Sequence, residues 1–163
     1  MPLILPSLQQ ELVDLYNTGK TGNPEPTLVG LKTGTAYFNY VSAGINAGGQ
    51  PFTAMPGTMN LQDELGKLYA GTVPDGQLFA LKMTKAFDSC LNTFMSVFQT
   101  TIITAPGMPG LQSELMKLFS KPKGHSSLFA MALGRALNNY TVSAVVMGII
   151  PDTPGIPFTG PIS

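Results

Sequence analysis

An all-α fold is predicted by three observations. A short apolar helix signature returns three times, a longer apolar stripe follows each return, and Pro-Gly pairs separate the copies. The expected architecture is three tandem helical hairpins, each a short helix, a loop and a long helix, over residues 8–60, 61–110 and 111–158. Pro/Gly-rich extended connectors join them, and an extended C-terminal tail occupies residues 150–163. Residues 1–163 read as a single domain.

The short helices come first. Leu8, Leu12, Leu15 and Tyr16 fall on one face at helical spacing, as do Leu61, Leu65, Leu68 and Tyr69, then Leu111, Leu115, Leu118 and Phe119. Ser7, Asn60 and Gly110 stand where an N-cap belongs. The repeated Glu11, Glu64 and Glu114 are expected near the positive end of each helix dipole. Gln9, Gln62 and Gln112 are identical in all copies; each could bond the adjacent turn, the preferred reading, or mark a shared contact.

Loops carrying Gly and Pro follow, over Thr18–Thr27, Ala70–Gln77 and Ser120–Ser127. The long helices are read from Phe79, Met83, Phe87, Cys90 or Leu91, Phe94 and Phe98 in copy two, and from Phe129, Leu133, Leu137, Tyr140 and Ala144 in copy three. Copy one is weaker, with Val29, Ala36, Tyr37, Tyr40 and Val41 loosened by Gly30, Gly34 and Gly44. Leu28, Leu78 and Leu128 recur at a shift of 50, as do Ala36, Ala86 and Ala136, a column suited to close helix approach. The connectors Gln50–Met59, Thr100–Gly110 and Ile149–Ser163 lean toward β or carry Pro and Gly. Six helices in this arrangement make either a short solenoid or a pseudo-threefold bundle. No terminal copy is conspicuously polar, which implies that both ends meet something.

Charge is the compositional anomaly. Only 11% of residues are Asp, Glu, Lys or Arg, against roughly 25% in average usage. Nine basic and nine acidic residues cancel. A neutral surface of this kind suits burial by neighbours in an assembly. The absence of a basic cluster argues against a nucleic-acid partner, and no apolar run approaches the ~18 residues of a membrane span. The opening Met1-Pro2-Leu3-Ile4-Leu5-Pro6 lacks the basic start of a signal peptide. The chain is therefore expected not to cross a membrane by itself.

No chemistry is announced. Gly19-Lys20-Thr21-Gly22 suggests a phosphate loop, but the helix residues Asp14 and Leu15 occupy the region where its strand and leading glycine should stand. His125 is the lone histidine and Cys90 the lone cysteine, so no zinc set or Cys-His pair assembles within one chain. The carboxylates follow the repeat, whereas an active site gathers unlike groups in one cleft. The expectation is a non-enzymatic protein with no cofactor, metal or small-molecule substrate. In the tail, Ile150, Ile156, Phe158 and Ile162 are the candidate partner-binding residues, placed for a neighbour or for the outer face of copy one.

Three further stretches complete the pattern: the Met1–Pro6 opening with the leucine/glutamine short helices, the run Ala136-Leu137-Asn138-Asn139-Tyr140-Thr141-Val142-Ser143-Ala144-Val145-Val146, and the close Phe158-Thr159-Gly160-Pro161-Ile162-Ser163. Together they resemble small triple-repeat structural proteins of tailed bacteriophage virions, particularly contractile-tailed phages. The resemblance spans the chain and is one of pattern and composition. It implies a virion component with no catalytic residues to carry over, and does not by itself place the protein within the particle. The expectation is a protein made in the host cytoplasm, present in several symmetry-related copies and joined to other virion proteins, with tail, baseplate or neck favoured over head. A soluble assembly chaperone or adaptor that binds a partner helix or peptide is the alternative.

Overall fold

The computed structural model describes residues 3–17, 25–54, 56–72, 75–96, 102–120, 126–151 and 154–163. Among them, six helices alternate short and long: α1 Leu5–Tyr16, α2 Pro26–Ser42, α3 Thr58–Ala70, α4 Gly76–Leu91, α5 Met108–Ser120 and α6 Ser126–Val142. Five strands stand between and after them: β1 Phe52–Ala54, β2 Met95–Ser96, β3 Ile102–Thr104, β4 Val145–Ile150 and β5 Ile156–Pro161. The all-α expectation is therefore corrected. The connectors and the C-terminal tail are not merely extended; they pair into two small antiparallel sheets, ordered β1-β2 and β3-β4-β5. The long helices end at Ser42, Leu91 and Val142, so the apolar stripe at Phe94 and Ala144 continues into irregular and β structure. Phe98 lies outside the described residues.

The helices form a closed ring. Each short helix packs against the long helix of its own unit and against the long helix of the preceding unit, and α6 meets α1. That selects the pseudo-threefold bundle over the solenoid. The strands close in the same sense. β1, leaving unit one, pairs with β2 of unit two, and β3, leaving unit two, pairs with β4 of unit three. The end of unit three returns to unit one, where Ile45 N donates to Ser163 O at 2.8 Å and Ser163 N donates to Ile45 O at 3.0 Å. The two ends thus meet each other, and neither needs a polar cap.

The core lies inside this ring. Leu12, Leu65 and Leu115 are fully buried at equivalent places, with Tyr37, Phe87 and Leu137 facing them from the long helices. At the end away from the sheets, five aromatic residues form a cycle. Ring centroids stand 6.4 Å apart for Tyr16–Tyr69, 5.2 Å for Tyr69–Phe79, 4.5 Å for Phe79–Phe119, 5.5 Å for Phe119–Phe129 and 5.3 Å for Phe129–Tyr16. Val29 holds the sixth, non-aromatic place. Such tilted and edge contacts add about 0.5–1.5 kcal/mol per pair beyond burial.

Hydrogen bonds between units also follow the symmetry. Tyr40 donates to Asn138 Oδ1 at 2.6 Å, and Tyr140 donates to Asp88 Oδ1 at 2.6 Å. At the third equivalent place the repeat puts Cys90 and Phe38, so both members of the polar pair are replaced together. Two of the repeated glutamines take the shared-contact reading: Gln9 Nε2 donates to Met131 O at 3.0 Å and Gln62 Nε2 to Thr35 Oγ1 at 2.9 Å, both across unit boundaries.

Two further expectations are corrected by the helix starts and the glycines. The helices begin before Ser7, Asn60 and Gly110, because Pro6 at the second helical position costs no hydrogen bond and Gly57 O already accepts from Leu61 N. Glu11, Glu64 and Glu114 consequently sit past the first turn, beyond the strongest dipole field. Gly30 and Gly34 do not loosen α2. A Cβ at Gly30 would occupy the backbone of Leu65 and Gly66, and one at Gly34 would stand 3.0 Å from Gln62 Cγ. Both glycines admit α3 to direct backbone contact with α2.

Gly30→Ala is expected to lower stability by about 1–3 kcal/mol, since backbone cannot yield as a flexible side chain does. Gly110→Ala, whose Cβ meets nothing within 4 Å, should stabilise by about 0.4–1 kcal/mol through the unfolded chain. Urea unfolding of both variants checks the contrast.

Burial also sets a pH limit. Desolvation raises Tyr16 and the Cys90 thiol to about 12 and holds Tyr37, Tyr40, Tyr69 and Tyr140 above the ordinary 10.0. Tyr16 OH, bonded to Tyr69 OH and to Thr33 Oγ1, is withdrawn from water in the same way. Because the folded state holds these protons more tightly, their contribution is complete below the unfolded values of 9.0 and 10.0. It is lost as pH rises toward the folded values. Denaturation midpoints should hold steady to about pH 9 and fall between about pH 10 and 12.

Candidate functional site

Among the described residues, the threefold pattern is broken most strongly in the hairpin β4–β5. Unit one closes its corresponding turn within residues 45–51, where Ile45 bridges Pro51. There Asn46 Oδ1 accepts from Gly48 N at 2.9 Å and Gln50 N at 3.0 Å, and Gly49 takes φ 78°. Unit three instead extends both strands to six residues, in register from Val145↔Pro161 to Ile150↔Ile156. A β-branched run, Val145-Val146 and Ile149-Ile150, favours the strand over further helix.

Alternation along these strands assigns their faces. Val146 is fully buried, Phe158 is half-buried against Gly48, and Ile150 and Ile156 continue that face toward the tip. Val145, Met147 and Ile149 share the other face with Pro157, Thr159 and Pro161. Met147 is 39% exposed, Ile149 50% and Ile156 50%. No charged residue stands in β3, β4 or β5. Solvated antiparallel sheets ordinarily alternate apolar with polar. Here both faces are apolar, the pattern of a sheet covered on both sides. The outer strand carries Pro157 and Pro161 and so is poorly suited to accept an added strand. Its faces are the usable surface.

The four residues named from sequence divide accordingly. Ile162 is only 2% exposed and belongs to the internal core beside the Ser163–Ile45 pairing, the place that Ile103 fills in unit two. Phe158 packs on that core. Ile150 and Ile156 remain near the tip. Met147 precedes the predicted Ile149–Ser163 connector and Ile149 opens it, so neither is among the partner-binding residues named from sequence; the period-two spacing of Val145, Met147 and Ile149 is the available signal.

Elsewhere, a groove of about 300 Å³ between α3 and α4 is lined by Glu64, Lys67, Leu68, Lys82 and Ala86. A smaller hollow of about 50 Å³ lies between α1 and α2, near Glu11, Asn39 and Tyr40. Cys90 is buried, which places its thiol beyond easy reach of a reactant. Among the described residues no three His, Cys, Asp or Glu side chains are grouped to hold a metal ion, and no helix is long and apolar enough to cross a membrane. His125 and Gly19-Lys20-Thr21-Gly22 lie outside the described residues.

The face assignment makes opposite demands on neighbouring positions. Met147→Asp and Ile156→Asp should each change stability by no more than about 0.5 kcal/mol, as exposed substitutions do. Val146→Asp and Ile162→Asp place an unpaired carboxylate in the core and should cost more than about 3 kcal/mol or unfold the domain. Chemical denaturation of the four variants separates them.

Comparison with protein-family models, curated proteins and solved structures finds no match.

Proposed function

We propose that this chain is a non-enzymatic structural component of a tailed-bacteriophage virion, present in several copies and joined to other virion proteins, with tail, baseplate or neck favoured over head. The uncharged hairpin with two apolar faces, exposing Met147, Ile149 and Ile156, is the observation that carries the reading. Neutral apolar surface associates without the desolvation cost of burying charge. The resemblance in repeat pattern and composition supplies the biological setting.

Size argues for a large neighbour. Two six-residue strands span a face of roughly 20 by 10 Å, about a quarter of the ~800 Å² that each partner contributes to a standard interface. A partner that takes this surface must hold both faces of the hairpin or reach onto the body beside it. Insertion of the hairpin into an adjoining virion protein satisfies that need.

Mass spectrometry of purified particles from the source phage should detect the chain at a fixed stoichiometry. The folded double variant Met147→Asp/Ile156→Asp should be depleted from particles by at least about tenfold, the effect of roughly 1.4 kcal/mol at an interface. Absence of the natural chain from finished particles, with presence in assembly intermediates, would replace this role by that of an assembly chaperone.

A further inference from the structure

Charge on the helical wall is sorted by helix type. Apart from half-buried Asp88, bonded to Tyr140, the long helices carry basic residues alone: Lys32 on α2, Lys82 and Lys85 on α4, and Arg135 on α6. The other helical carboxylates stand on the short helices. The extreme is α1, with Glu11, Asp14 and no basic residue. Glu11 accepts from Asn39 at 3.2 Å and Asp14 from Gln10 at 2.9 Å, both neutral amides. Among the described residues, neither carboxylate forms an ion pair, nor do Lys82 and Lys85.

These two charged walls lie on opposite sides of the molecule, because the ring runs α1, α2, α3, α4, α5, α6 and back to α1. They also match in height. In unit two, Lys67 occupies the place of Asp14 and lines a groove with Lys82; Glu64 occupies the place of Glu11 and lines it with Ala86, next to Lys85. By the repeat, α1 presents Asp14 at the level of Lys82 and Glu11 near that of Lys85. Short and long helices run in opposite directions along the ring axis. Two copies related by translation therefore bring α1 and α4 together antiparallel, with unlike charges facing.

We propose that copies of this chain associate side by side, the acidic α1 wall of one docking on the basic α4 wall of the next. Leu78, exposed and one turn before Lys82, supplies apolar contact on the same helix face. The contact is heterologous and joins opposite faces, so it repeats into an open row instead of closing as a dimer. Zero net charge per copy lets a row grow without accumulating repulsion. This inference rests on the multi-copy reading above and names the contact between copies.

Sedimentation velocity of the purified chain tests it. At about 10 mM salt the weight-average sedimentation coefficient should rise with concentration past the dimer value, and at about 1 M salt it should return to that of a monomer. Lys82→Glu/Lys85→Glu and Glu11→Lys/Asp14→Lys should each remain monomeric at low salt. Their equimolar mixture should associate again, since each variant then offers the charge the other lacks. A natural chain that stays monomeric at low salt, a charge variant that associates alone as well as the natural chain, or a mixture that stays monomeric overturns the contact. So does association that persists at high salt. Particles that contain the chain while the isolated protein is monomeric would remove this contact alone. Rows in solution with no chain in particles would remove the proposed virion role alone.

Discussion

Unit three returns to unit one, and that return organises everything else in the molecule. A stack of three helical hairpins leaves two apolar ends, each of which must be capped or find a partner. Here α6 packs on α1, and Ser163 exchanges both backbone hydrogen bonds with Ile45. Closure turns the ends into one more internal boundary. It explains how a chain with so few charges can dispense with polar terminal repeats, and why Ile162 is core.

Symmetry then distributes the core interactions and marks where they were changed. The tyrosine bonds Tyr40–Asn138 and Tyr140–Asp88 occupy two of three equivalent boundaries, while the repeat puts Cys90 and Phe38 at the third. Changing both partners keeps the boundary satisfied, whereas changing one would bury an unpaired polar group. Glycine is used with the same economy at Gly30, Gly34 and Gly134, each opposite a short helix of the adjoining unit. These departures lie at the boundaries between units, buried or half-buried. The long β4–β5 hairpin reaches the surface, and an element that only unit three shows among the described residues is not explained by packing shared among the three.

The surface divides into two kinds of contact. The hairpin is neutral and apolar, suited to a neighbour that removes it from water, while the helical wall is polar and charge-sorted, suited to weak, salt-sensitive contacts. In the proposed role these act together: the hairpin anchors a copy to the particle, and the walls align neighbouring copies. Individually exposed ion pairs are weak, so an array rather than an isolated pair is where such a wall has an effect.

The short helices were legible from residues alone because Leu8, Leu12 and Leu15 and their two counterparts repeat with an unmistakable period, and local spacing decides a helical face. The triplication, the buried alanine column and the turns at Pro56-Gly57 and Pro106-Gly107 were legible for the same reason. Strand pairing was not, since Ile102–Thr104 meets Val145–Met147 some forty residues away, and neither segment shows its partner locally. Gly30 reads as a weak point in a helix until the backbone of Leu65 is seen against it. By itself, then, the sequence determined three helical hairpins and a chain poor in charge. Tertiary structure decided that they close into a ring, that Ile162 turns inward, and that Met147 and Ile149 face out. Propensity acts over a few residues, whereas closure and facing are set by contacts between distant parts of the chain.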